Sequence, residues 1–127
     1  MNISKELFTA VTGINLGTQE SFRDQFEEKV WVGTGEYSNT IYYGVQGIKT
    51  THINIYEFAN KCKKWAFKNG FYLPIVYTGE NTHCGISKTE RGYIWGMKST
   101  FIELSEPEAI FKACEYILSE MKEAKND

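Results

Sequence analysis

Cysteine, proline and histidine are scarce in this 127-residue chain, which holds three, two and two of them. The cysteines, Cys62, Cys84 and Cys114, are far apart in sequence. An odd and sparse set does not make the disulfide framework of a small secreted protein. Pro74 and Pro107 are the only prolines, and no Ser-rich, repetitive or low-complexity run interrupts the chain. Without a linker, residues 1–127 read as a single domain. Neither sign of charge dominates; the formal net charge is −2. That argues against sequence-independent binding of nucleic acid, which needs a basic surface to displace condensed counterions. No apolar run approaches the ~20 residues of a membrane-spanning helix. The opening "MNISKELFTAV" carries no basic segment leading into an apolar core. The expected setting is therefore a reducing cytoplasm, with no membrane partner.

Motifs that carry chemistry are missing too. The glycines of "GTGEY" and "GVQG" do not follow the dinucleotide or P-loop spacings, and they do not open a helix. The metal-ligating residue types are His52, Cys62, His83, Cys84 and Cys114. None of the cysteines are close enough together for a structural zinc site. Carboxylates are plentiful, yet no pair stands in an apolar context that would separate two pKa values for acid–base work. His83 and Cys84 are neighbours in "YTGENTHCGIS". Consecutive residues of a strand point to opposite faces, so this pair is badly placed to act as nucleophile and base. Cys84 is expected to face a core beside Ile86. The reading is of a non-enzyme with no metal and no cofactor.

What the chain does have is regular patterning. Residues 4–12 predict a short helix with Leu7, Phe8 and Val11 on one face and Gly13 as its stop. Residues 18–29, "TQESFRDQFEEK", predict a second. Strands are predicted near 30–34 and 39–46, joined by a turn at 36–39. Residues 54–69 form the clearest helix, with Asn54 and Glu57 at capping-box spacing and Gly70 beyond its end. "FYLPIVYT", "THCGISK" and "GYIWGMKSTFIEL" read as three meandering antiparallel strands. Pro74, which cannot donate to a ladder, places the first at an edge or a bulge. Residues 106–123 predict a closing helix, capped by Ser105 with Glu108 three residues on. The order α-α-β-β-α-β-β-β-α points to the α+β class. The expected architecture is one antiparallel sheet of about five strands, with the 54–69 and 106–123 helices packed on one face.

Aromatic residues are abundant at 15%, with eight Tyr, eight Phe and three Trp. Tyr and Trp join a large apolar area to a polar tip, which suits contact surfaces. Trp31, Tyr37, Tyr42, Tyr43 and Trp95 are the candidate partner-binding residues. They fall in strands and turns expected to be partly exposed. The one concentrated basic patch is Lys61, Lys64 and Lys68 on one side of the 54–69 helix, with Lys63 nearby. A solvated helix face is the more common reason for such a run, and no aromatic is expected to alternate with these lysines at the surface as a single-strand platform requires.

Two segments, "SEPEAIFKACEYIL" (105–118) and "INIYEFANKCKKWAFKNGFYL" (53–73), resemble parts of small phage and prophage proteins of the phage ABA-sandwich type. The first is similar to their closing turn and helix, the second to their helix-to-strand entry. The resemblance implies a helix, an antiparallel sheet and a closing helix, in an accessory protein of a mobile element. The matching residues are packing and capping residues, so no site residue is carried over. The predicted strand pair within 30–46 departs from the pattern. The functional expectation is a binding protein or inhibitor directed at a host or defence protein. The alternative is a small-ligand or nucleotide-binding protein that sequesters its ligand. Aromatic strands and an edge at Pro74 also suit a homodimer.

Overall fold

Ser4 and Gly13 set the first helix. The computed structural model describes residues 1–17, 27–90 and 93–125, with the backbone alone at 89–90, 93–99 and 125. It divides the chain into two compact units, Met1–Phe58 and Ala59–Asp127. In the first, helix α1 spans Lys5–Thr12. The Ser4 hydroxyl accepts the Leu7 amide at 3.0 Å, satisfying one of the amides a helix start leaves free. Gly13 ends the helix at φ 76°, a left-handed conformation that glycine adopts without strain, and its amide donates to Thr9 O.

The predicted helix over 18–29 lies largely outside the described residues. Of its last three positions, Glu27 and Glu28 have no regular structure and Lys29 opens a strand. Strands β1 (Lys29–Val32), β2 (Thr40–Val45) and β3 (Lys49–Asn54) form a three-stranded antiparallel sheet in sequence order. A 3-10 turn at Gly35–Tyr37 joins the first two. The core of this unit gathers on one face. Phe8 stacks on Phe58 at 5.5 Å and meets Tyr43 at 4.7 Å. Leu7, Phe8, Ile41 and Phe58 are fully buried around that contact.

Helix α2 spans Ile55–Lys68 and crosses the boundary between the units. The Asn54 Oδ1 accepts the amides of Tyr56 at 2.8 Å and Glu57 at 3.4 Å, as the capping spacing predicts. Gly70, at φ 89°, turns the chain out of the helix.

The second unit is built on a long central strand, β6 (Asn81–Glu90). Two short strands, β4 (Phe71–Tyr72) and β5 (Ile75–Thr78), lie end to end along one edge of it. Strand β7 (Tyr93–Glu103) pairs with the other edge, with register shifts at Ser87. The predicted 71–78 strand is thus cut in two at Pro74. The proline has no amide to offer, but its carbonyl accepts the Gly85 amide at 2.9 Å. Helix α3 (Glu106–Lys125) closes the unit. Tyr116 meets Phe101 of β7 at 5.8 Å, and the Cys114 thiol donates to Cys62 O of α2 at 3.7 Å. Ile86, Ala113, Cys114 and Ile117 are fully buried.

The fold is α+β, as expected, with three described helices and antiparallel strands. The expectation of one sheet of about five strands is corrected: the described residues form two sheets, of three and four strands. The reason is local. β2 pairs with β3, a strand that the polar stretch "KTTHIN" conceals, so the first sheet is complete before α2 begins. The strands after α2 then pair among themselves.

Candidate functional site

The face of the first sheet opposite Phe8 is where predicted contact residues come together. Alternation along a strand puts Trp31, Tyr42 and His52 on one face, opposite the face of Ile41 and Tyr43. The register makes these three direct neighbours: Trp31 pairs with Tyr42 and Tyr42 with His52. Trp31 and Tyr42 stack with centroids 5.8 Å apart and planes 19° from parallel. Tyr42 and His52 follow at 6.2 Å, tilted by 55°. Trp31 and Tyr42 are half-buried, while His52 is exposed. The next row on this face holds Gly44 and Thr50, and the row on the other side holds Thr40 and Asn54. Gly44, Thr50 and Thr40 therefore flank the rings with small side chains on β2 and β3.

The other candidates are placed apart from this row. Tyr37 sits on the 3-10 turn and is 57% exposed. Tyr43 points to the opposite face and packs on Phe8, so it belongs to the core side of the sheet. Trp95 lies within β7, and its side chain is outside the described residues. His52 was not among the candidates. A hairpin centred on Gly47 brings it opposite Tyr42, but the signal is legible only once β3 is seen as a strand.

The lysines divide similarly. Lys61, Lys64 and Lys68 are all exposed. Lys64 and Lys68 line a cavity with Lys63, Phe67, Phe71, Tyr72 and Leu73, and Lys61 does not. The expectation that no surface aromatic alternates with these lysines is corrected. Phe67 is 60% exposed and follows Lys63 and Lys64 by four and three residues, which is the same helix face. Sequence reasoning also missed an apolar group on the second sheet. Val76, His83 and Ile102 form one cross-strand row, and Val76 and Ile102 are both more than half exposed.

His83 and Cys84 point apart, as strand geometry requires. Cys84 is fully buried, like Ile86. Burial pushes its thiol up to about 12, far from the range of a reactive thiolate. Burial, with a hydrogen bond to Cys114, pushes Cys62 up as well. The His83 Nε2 instead shares a hydrogen bond with the Thr78 Oγ1 at 2.5 Å. Among the described residues, no three His, Cys, Asp or Glu side chains converge to hold a metal ion. No described helix is long and apolar enough to cross a membrane. Comparison of the chain with protein-family models, with curated proteins and with solved structures finds no match in any of the three.

Proposed function

We propose that this chain is a non-enzymatic binding protein that engages a partner protein through the face of the β1–β3 sheet that carries Trp31, Tyr42 and His52. The observation that carries the reading is the stacked row of Trp31, Tyr42 and His52 on the face opposite Phe8 and Ile41. Rings already held by their cross-strand neighbours lose little freedom when a partner covers them. Trp and Tyr are also the residue types that most often dominate binding energy at protein interfaces. The exposed ring of Tyr37 on the adjoining turn extends the aromatic character of this part of the unit. The role of an accessory protein from a phage or prophage, acting on a host or defence component, rests on the resemblance of 53–73 and 105–118 alone.

The test is affinity capture from host extract with the intact chain and with Trp31→Ala and Tyr42→Ala variants, at a temperature well below the melting midpoint of each. The same partner should be retained by the parent and lost by the variants. Equal capture by all three folded proteins would refute the assignment of the surface.

A further inference from the structure

We propose that the corner where α2 passes into β4 binds a small amphipathic anion: an apolar body with a single anionic head, of the fatty-carboxylate class. The cavity there measures about 380 Å³, within the usual span of small-ligand sites, and is lined by Lys63, Lys64, Phe67, Lys68, Phe71, Tyr72 and Leu73. Its parts come from adjacent stretches of chain. Lys64, Phe67 and Lys68 recur at helical spacing on the last turns of α2. Gly70 then turns the chain so that Phe71 and Leu73 run beneath them.

The lining separates into an apolar interior and a charged rim. Phe71 and Leu73 are buried at 9% and 6% exposure and form the floor, whereas Phe67 and Tyr72 remain 60% and 41% exposed. Lysine stems are apolar and carry their ammonium groups outward, so the three lysines contribute wall and positive edge together. Among the described residues, no carboxylate forms an ion pair with Lys64 or Lys68. Lys68 stands in the last helical turn, where a cation also offsets the carbonyl end of the helix dipole. That role explains Lys68 alone. It does not explain an exposed phenyl ring held between lysines over a hollow.

The same lining selects among anions. Apart from the ammonium groups, the Tyr72 hydroxyl is the only polar side-chain group among the lining residues. A nucleotide would bring base and sugar edges that need several fixed partners, and unpaired polar groups oppose binding in an apolar site. An acyl chain needs none, and its single carboxylate matches the rim.

The experiment is an amide-shift NMR titration of the full chain with octanoate, octanol, AMP and phosphatidylglycerol vesicles. Octanoate is expected to shift amides within 63–73 in a saturable manner. The Lys64→Gln/Lys68→Gln variant alters only exposed side chains. It is expected to weaken octanoate about tenfold or more, the scale of one lost charge contact, and to weaken octanol far less, through the shortened stems alone. A Phe67→Ala variant should weaken both. No saturable shift with octanoate, or equal octanoate affinity in the lysine variant, would overturn the proposal. A larger response of the same amides to AMP would replace it with a nucleotide site. A response to vesicles alone would replace it with a membrane-contacting surface.

Discussion

Trp31 and Tyr42 face each other across β1 and β2 with their ring planes 19° from parallel. Each ring restricts the other, so the pair contributes to the stability of the sheet as well as to its surface. Aromatic pairs of this kind are coupled by about 0.5–1.5 kcal/mol beyond the area they bury. A double-mutant cycle with Trp31→Ala and Tyr42→Ala, read by urea denaturation, should return a coupling in that range. A value near zero would mean that the rings move independently in solution.

Phe8 is the keystone of the first core, in contact with Phe58 from α2 and Tyr43 from β2 and with no exposed surface. Truncating a buried phenylalanine removes its transfer free energy and leaves a void. Phe8→Ala should therefore cost about 3–5 kcal/mol. Thr9, on the same helix but only half-buried, is the control: Thr9→Ala should change stability by no more than about 0.5 kcal/mol.

Gly44 sits at φ 120°, and a Cβ at this position would stand 2.3 Å from the Lys49 carbonyl oxygen. That oxygen belongs to the backbone of the paired strand, so it cannot swing aside. Gly44→Ala should destabilise the β2–β3 hairpin by about 1–3 kcal/mol from backbone strain alone, with the clash in addition. Hydrogen exchange is the measurement. Amides of 41–53 should exchange faster while those of 106–118 are unaffected.

Alkaline pH should weaken the fold through its buried thiols. Cys84 holds its proton up to about 12 in the folded chain, against the ordinary 9.0. Between these values the unfolded chain has released a proton that the folded chain keeps, so unfolding stability falls as pH rises. A single thiol sets a limit of about 1.4 kcal/mol per pH unit, and burial of Cys62 acts in the same direction. Denaturant titrations between pH 8 and 11 should show the decline, and Cys84→Ala should make it shallower, leaving the part due to Cys62. Below pH 9, iodoacetamide should label Cys84 only as fast as the chain opens. Rapid labelling of the native protein would contradict the burial.

The helices were legible because their ends are written in side-chain chemistry. Ser4, Asn54 and Ser105 each accept an amide at a helix start, and Gly13 and Gly70 supply the left-handed exits. The strands of the second sheet were legible from alternation, and Pro74 announced its own interruption. Strand β3 was not legible. Of Lys49, Thr50, Thr51, His52, Ile53 and Asn54, only Ile53 is apolar, and five of the six are exposed. An edge strand wet on most of its positions carries no hydrophobic signal, because its place is fixed by hydrogen bonds to β2. Missing it merged two sheets into one and hid His52 from the aromatic row. The cavity on α2 was half legible. The lysines stood out by charge, but Phe67 was passed over because a lone aromatic outside the buried stripe has no periodic partner.

The interruption at Pro74 also governs what can be added to the second sheet from outside. An unbroken outer rim along β6 would present a long row of unpaired peptide groups, an invitation for a foreign strand to zip on. Here the rim is a two-residue piece, a gap, and a four-residue piece. An intruding chain that starts at Ile75 runs out of template after Thr78, and one that starts at Phe71 meets the proline almost at once. The residue that splits the strand thus acts as a brake on runaway polymerisation along that rim.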